Sequence, residues 1–509
     1  MLNDASDVEG TSDASWIILI LDARTQQILA PSIDIDELRS RGVVDRLVNF
    51  ISLEEDLFSL GLESSFTIMS KAIANLHDES VMKLVEDCSN GLLSVAVTFG
   101  SFIPFLLPRN GESRHLAATM RVICICQSFG PTPSIENSGL LFECKESAAK
   151  NTDLISPLRH KWSYGALVHD FFPVRLNRIL SLGKEESAQL LLSWKDPIWK
   201  HASRLSFPDA CTLFGDELQT YQKAYAQISG GDGDEIEPLR KALEEIPALR
   251  EKKHWIDTHL LLASALLPQI SQRRPDLFRE LETAQPSANI SLPELDPIDE
   301  GDRIRLLLVV FLSSGKDQRL LPFLIEKFSL KESASLAKAL HAIVPEFTMA
   351  SSLSDSTSPN ATPNDIPEQK VSIFETLSTS GNVVASSRIA KMVMQGIQRI
   401  SNQVLSPSGD DDALMPIIRY VDAALRGEGE SRMPVTAGSS MLPKRLVVFV
   451  VGGIAYDEYQ SLSAFLARNW PGIEVAIGGT SLCSSSDFLA QLYQTGGRDS
   501  ETHPNATCS

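Results

Sequence analysis

Long apolar runs are missing from this chain. The longest, Leu306–Leu312 and Leu446–Val451, fall far short of the roughly 20 residues that a bilayer-spanning helix needs. The first residues, MLNDASDVEGTSDAS, are acidic and polar and have neither the basic nor the apolar region of a signal peptide. Cysteine is scarce. The seven are Cys88, Cys124, Cys126, Cys144, Cys211, Cys483 and Cys508. Their number is odd and no C-x-x-C pair occurs, which argues against a disulfide framework or structural zinc site and for a reducing cytosol. In that setting the sequons at Asn289, Asn360 and Asn505 read as chance matches. Positive charge is in deficit: 46 Lys+Arg stand against 65 Asp+Glu, a formal net charge of −19. A surface of that sign repels phosphate backbones, so no nucleic-acid partner is expected. With 43% hydrophobic and 22% charged residues over 509 positions, the composition fits a globular chain of about three domains.

Catalytic signatures are missing as well. No G-x-x-x-x-G-K-[ST] occurs, since Gly183-Lys184 and Gly315-Lys316 lack the loop glycine and the following Ser/Thr. Val451-Gly452-Gly453 follows an apolar run but departs from G-x-G-x-x-G spacing, and Asp457 and Glu458 would repel a phosphate. These glycines read as a strand-to-helix turn. No G-x-S-x-G elbow and no H-E-x-x-H motif is found. His254 and His259 are five apart, a poor spacing for one helical metal face. The other histidines, His77, His115, His160, His169, His201, His341 and His503, read as structural or surface residues. Cys124-x-Cys126 is too close for the usual zinc pair and reads as part of a buried strand. Glu54-Glu55-Asp56 and Asp410-Asp411-Asp412 read as solvated loop charge. No cofactor, metal or catalytic residue is expected.

What is present is a pattern of alternation at both ends with helices between. WIILIL (16–21) reads as a buried parallel strand, followed by a helix around Asp36–Asn49. Residues 66–90 read as helical, and Leu92–Leu107 as one or two strands broken at Gly100. Near the C-terminus, strand Arg445–Val451, helix Tyr456–Asn469, strand Ile473–Ile477 and helix Ser485–Thr495 form the β-α-β-α order of a parallel sheet. Between them the signals are helical over 212–228, 236–273, 303–346 and 382–405. Leu249, Ile256, Leu260, Ala263, Leu267 and Ile270 form an amphipathic stripe. The economical arrangement is an α/β fold in which the terminal strands join an earlier sheet and the helices are an insertion. Residues 229–238, 284–302, 350–370, 406–412 and 427–443 read as linkers, 350–370 as disordered. After it, Arg388–Leu405 carries Ile389, Val393, Ile397, Ile400 and Val404 on one stripe. That pattern suits packing on its own domain or, as the sharper alternative, a mobile flap or a membrane-surface contact.

Several segments resemble the Sec-one/Munc-eighteen (SM) family of vesicle-fusion regulators. The C-terminal signature is LVVFVVGGIAYDEYQSLSAFLARNWPGIEVAIGGTSLCSSSDFLAQLY (446–493). Collinear with it are WIILILDARTQQILAPSIDIDELRSRGV (16–43), NFISLEEDLFSL (49–60), SPLRHKWSYGALVHDFF (156–172), SFPDACTLFGDELQTYQ (206–222), EKKHWIDTHLLLASALLPQI (251–270) and DRIRLLLVVFLSS (302–314). The wording is most similar to the Sly-one branch, which acts between endoplasmic reticulum and Golgi. The resemblance implies an arch-shaped three-domain SM protein, with two parallel-sheet α/β domains plus a mainly helical inserted domain. It implies domain 1 at 14–59, a discontinuous domain 2 at 60–185 and 428–509, and domain 3 at 186–427 with a lid loop about 349–405. Its members are not enzymes. They bind syntaxin-type Qa-SNAREs (here syntaxin-five-like) and assembled SNARE complexes, and they template assembly of the four-helix bundle in the cytoplasm beside ER and Golgi membranes. Tethering factors are a further class of partner, and peripheral membrane association would come through partners or the lid helix.

Carried onto this chain, the SNARE-helix contact falls on Lys253, Asp257, Leu260 and Ala263. The lid helix falls on Ile389, Val393, Ile397 and Ile400, and the N-peptide pocket remnant on Val44, Leu47 and Val48. The chain departs from the family pattern in two places. Between Gly42 and Phe50 many tens of residues are absent, including most of the N-peptide pocket. Around 109–150 little more than the adjoining Asn151, Asp153 and Leu154 is kept, and lost strands would expose apolar edges. The alternatives are an endosomal or vacuolar SM branch, a defective splice or gene-model variant, and an α/β enzyme using the crevice at the strand ends.

Overall fold

The structure, a computed structural model, describes residues 49–72, 78–98, 138–144, 153–182, 190–229, 236–275, 278, 282, 298–330, 333–344, 391, 393, 395, 415–426 and 445–496. In chain order the elements are β1 (Ile51–Ser52), β2 (Leu57–Ser59), α1 (Ser65–Ala72), α2 (Glu79–Thr98), β3 (Ser138–Cys144), α3 (Tyr164–Phe171), β4 (Val174–Arg175), β5 (Arg178–Ile179), β6 (Leu190–Leu191) and α4 (Pro197–Ala202). There follow α5 (Phe207–Ser229), α6 (Ile236–Arg273), α7 (Glu300–Ser313), α8 (Leu321–Lys327), α9 (Ala334–Ile343), α10 (Pro416–Arg426), β7 (Arg445–Val451), α11 (Tyr456–Asn469), β8 (Glu474–Gly479) and α12 (Ser485–Gly496). They group into two compact units. The first takes residues 1–145, 419–454 and 466–482, and the second 146–418, 455–465 and 483–509.

The first unit is built on a five-stranded sheet in the order β1-β2-β8-β7-β3. β2–β8, β8–β7 and β7–β3 pair in parallel, and β1 joins β2 antiparallel. Leu446 to Val451 are all buried, so both faces of β7 are covered, as an unbroken apolar strand requires. On one face, Val81, Leu84, Val85, Cys88, Leu92 and Val95 of α2 pack with Phe58, Val447, Phe449 and Val451. Phe58 stacks on Phe449 at 6.0 Å. A Cβ at Gly478 would meet the Phe58 ring at 2.4 Å, so only glycine lets that ring lie against β8. β7 then turns through Gly452 and Gly453 at φ 98° and 96°, which L side chains avoid. Thr480 closes the turn: its hydroxyl accepts from Gly452 N at 3.1 Å and lies 2.6 Å from Ser65 Oγ.

Two expectations are corrected here. Leu92–Thr98 is the end of α2, not a strand, because the buried positions 81, 84, 85, 88, 92 and 95 recur at helical spacing. The β-branched residues near its end had suggested extended chain. The sheet expected from 92–107 and the C-terminal strands instead has β3 beside β7, seven residues in register from Ser138↔Arg445 to Cys144↔Val451. Part of 109–150, where family wording is lost, therefore supplies a sheet strand and pairs that side of β7.

The second unit is mainly helical, with a small antiparallel sheet, β4-β5-β6. Its helices start at side-chain caps. Ser163 accepts from Ala166 N at α3, Asp196 from Ile198 N and Trp199 N at α4, Asp299 from Gly301 N at α7, and Ser333 from Leu336 N at α9, each satisfying donors a helix start leaves open. α9 and α12 lie so close that a Cβ at Gly496 would sit 1.9 Å from the Lys338 carbonyl oxygen.

Candidate functional site

The helical unit is organised by α6. From Ile256 to Leu266 this helix is buried on nearly every side, Asp257 and Ala265 being half-buried. A helix buried all round must satisfy any polar group internally. His259, 1% exposed, does so. One ring nitrogen, Nε2, lies 3.0 Å from Asp196 Oδ2 and the other, Nδ1, 2.9 Å from the Tyr164 hydroxyl. A carboxylate only accepts, so Nε2–H donates to Asp196, and in the neutral ring Nδ1 accepts from the Tyr164 hydroxyl. The ring is sandwiched between Trp199 at 6.1 Å and Phe214 at 5.2 Å, with interplanar angles of 7° and 12°. Asp196 also caps α4, so one carboxylate ties α4 to α6 while Tyr164 ties in α3. A Tyr–His–Asp chain has the composition of a proton relay. Here Tyr164 is fully buried and burial raises its hydroxyl well above the ordinary range, so the chain holds helices together.

A second buried network joins α3 and α6 to α7. Arg305 of α7 is 2% exposed. Its Nε donates to Leu158 O, Nη2 to Arg159 O, and Nη1 to Asp170 Oδ2 at 2.8 Å. Asp302, one turn earlier, accepts two bonds from Arg273 at the end of α6, at 2.7 and 2.6 Å. His160 Nδ1 lies 2.6 Å from Glu282 Oε1. Burial alone would raise the Asp170 carboxyl, but the charges of Arg305 and Arg273 outweigh it and bring it down to about 2. Burial pushes His169 down to about 3, stacked 4.1 Å from Tyr456.

The start of α11 is tied into this unit by polar side chains. Lys161 Nζ donates to Asp457 Oδ2 at 3.1 Å, Ser163 Oγ to Gln460 Oε1 at 2.8 Å, and Gln460 Nε2 to Ser203 O at 2.8 Å. Glu458, fully buried, accepts from Ala455 N at 2.7 Å.

Against this frame the expected site residues divide. Leu260 and Ala263 are 1% and 0% exposed, core positions that no partner reaches in this fold. Lys253 and Asp257 are half-buried and form an i,i+4 ion pair. Burial decreases along the antiparallel α5–α6 pair. Part-way along it Lys252 bridges to Glu217 at 2.7 Å, and further toward the end of α5 Tyr225, 48% exposed, stacks on Tyr221 at 6.0 Å. Of the expected residues on this pair Lys253 and Asp257 thus remain partly accessible, and Tyr225, which the sequence pattern did not single out, is exposed. Val393 is buried. Ile389, Ile397, Ile400, Val44, Leu47 and Val48 lie outside the described residues, as do strand 16–21, helix 36–49 up to Val48, and Cys124–Cys126. Among the described residues no group of three His, Cys, Asp or Glu side chains is gathered as metal ligands, and no helix is long and apolar enough to cross a membrane.

The family model described as Sec1 family matches residues 45–491. The chain belongs to the Sec1 family. Among curated relatives, "Protein sly1 homolog" of Drosophila melanogaster is 28% identical over 522 residues, covering 89% of this chain and 78% of the relative. "SEC1 family transport protein SLY1" of Arabidopsis thaliana is 24% identical over 496 residues, covering 88% and 75%. Among solved structures, that of Sly1p with an N-terminal peptide of Sed5p shares the fold at a TM-score of 0.61 and 20% identity, covering 89% of this chain and 74% of that one. The structure of Vps45 with the Qa-SNARE Tlg2 (1-310) does so at 0.61 and 19%, covering 94% and 80%. In this Sec1-family chain two of the family-like segments carry much of the buried wiring. The segment 156–172 contributes His160, Lys161, Tyr164 and Asp170, and the segment 302–314 contributes Asp302 and Arg305. The sequence signal was available: charged residues set within apolar runs, as in DRIRLLLVV and ALVHDFF, mark buried and paired charge.

Proposed function

We propose that the chain is an SM-type regulator of SNARE-mediated docking and fusion in ER–Golgi transport, binding syntaxin-type Qa-SNAREs and templating SNARE assembly. The observation carrying this reading is the Sec1 family match over 45–491. Relatives named sly1 and fold neighbours solved with Qa-SNARE segments support it. The work is done without bond chemistry, by lending order to segments that are disordered when free and so lowering the entropy cost of their zippering. The surface proposed for this is the far part of the α5–α6 pair, around Tyr225 and Lys253, standing on a rigid base of buried α6. The three-domain division, the lid at about 349–405 and a cytoplasmic location beside ER and Golgi membranes belong to the same proposal. The test is a pulldown of the full chain with a Qa-SNARE cytoplasmic region, with and without its N-terminal peptide. Binding that persists without the peptide is expected, since the N-peptide pocket is largely missing from the sequence. A folded chain that binds neither form refutes the reading.

A further inference from the structure

Large apolar side chains are exposed at few described positions, and three of them, Leu176, Leu180 and Leu191, lie on or directly beside the strands of the small sheet β4-β5-β6. β4 and β5 form a hairpin closed by Arg175↔Arg178, so Leu176 and Asn177 make a two-residue turn. Both have positive φ, 50° and 60°, the geometry of a type I′ turn that favours glycine and asparagine. Asn177 suits it and Leu176 does not. Leucine gains nothing from packing there, being 62% exposed. A bulky residue held in an unfavourable conformation at an exposed tip points to a role outside the fold.

The register shows what surrounds it. Val174↔Ile179↔Leu190 is the sheeted row facing inward, Ile179 being fully buried. Arg175↔Arg178↔Leu191 is the opposite row, exposed throughout. Two arginines directly opposed across a hairpin repel each other, and they do so on a chain whose formal net charge is −19. The tip therefore combines protruding leucines with two exposed arginines, Arg175 and Arg178. Its two-residue strands are too short to template an added strand from a partner protein. Leucines that enter the acyl boundary while guanidinium groups stay at the headgroups are the arrangement of an interfacial anchor.

We propose that the β4–β5 hairpin and the adjoining end of β6 form a membrane-contacting tip that inserts Leu176 and Leu191 into a bilayer surface bearing anionic phospholipid, with Arg175 and Arg178 on the headgroups. This contact is independent of Qa-SNARE binding. The full chain is sedimented with phosphatidylcholine vesicles containing about one-third phosphatidylserine, and with phosphatidylcholine vesicles alone; the Arg175→Glu/Arg178→Glu variant should lose at least about tenfold in partition onto the anionic vesicles. Leu176→Asn, which keeps the turn, combined with Leu191→Gln should lower partition onto both. Circular dichroism and thermal unfolding confirm that each variant is folded. No sedimentation of the wild-type chain with anionic vesicles overturns the proposal, as does partition unchanged in both variants. Variants that keep their vesicle partition but lose Qa-SNARE pulldown would make the tip a protein contact and equally overturn it.

Discussion

Replacing Arg305 by methionine tests the internal wiring of the helical unit. The guanidinium is 2% exposed and donates to the Leu158 and Arg159 carbonyls and to Asp170. Methionine fills most of the volume and supplies none of the donors. Removing one partner of a buried ion pair costs about 3–5 kcal/mol, because the remaining charge is left in a low-dielectric interior. Each orphaned buried acceptor adds roughly 1–3 kcal/mol when it finds no water. These contributions overlap, so a net loss of about 4 kcal/mol is expected, against about 5–15 kcal/mol for a whole domain. For a unit of this size that corresponds to a fall of about 10 °C in melting temperature. Hydrogen exchange is the assay of choice, since a two-unit chain need not unfold in one step. Protection should drop in peptides covering 156–172 and 300–313. The double variant Arg305→Met/Asp170→Asn should recover part of the loss by removing the stranded carboxylate. A single-variant loss below about 1 kcal/mol, or a double variant whose losses simply add, would refute the reasoning.

Three further outcomes follow from the same geometry. His169 is held at about 3 in the fold against an ordinary 6.5, so the unfolded chain binds the extra proton. The stability this provides is complete above pH 6.5 and is lost by up to about 1.4 kcal/mol per pH unit toward pH 3. Asp170, lowered to about 2 from 3.8, adds loss below pH 3.8. Urea midpoints at pH 7.5 and 5 should differ in the wild type and differ less in His169→Phe, the remaining difference coming from His160, which burial also lowers; equal pH slopes in both would count against it. Gly165→Ala places a Cβ 2.9 Å from the Ser203 carbonyl oxygen and 2.7 Å from the Tyr456 ring, and should cost about 1–3 kcal/mol in urea unfolding; an unchanged midpoint would show that the loop yields freely. Tyr164→Phe leaves His259 Nδ1 without its donor and should cost about 1–3 kcal/mol, whereas a neutral effect would mean water replaces the hydroxyl.

The sequence made much of the architecture legible where one local signal dominated. RLVVFVV could only be a doubly covered strand, and the helices Tyr456–Asn469 and Ile236–Arg273 were readable end to end from periodicity. Leu92–Thr98 misled because Val95 and Val97 suit a strand by type while position 95 falls on a helical stripe. The spacing, not the residue type, carried the information. The partner of β7 was hidden for a different reason: strand pairing across hundreds of residues leaves no mark in either segment alone. On α6, the stripe through Leu260 and Ala263 announced a buried face but not that the opposite face is buried too. His259 read as structural from its spacing. Its ties to Asp196 and Tyr164, 63 and 95 residues away, needed the fold.

The most direct test of the central claim is calorimetric titration of the full chain with a Qa-SNARE cytoplasmic region, comparing wild type with Tyr225→Ala/Lys253→Glu. Tyr225 is 48% exposed and Lys253 half-buried in its ion pair with Asp257, so the melting temperature should fall only slightly, by the lost pair and the like charge at i,i+4, while affinity falls at least about tenfold, as for loss of an aromatic anchor with a charge. Saturable binding weakened in that variant is the predicted result. No binding by the folded wild type, or equal affinity in both, would contradict the account.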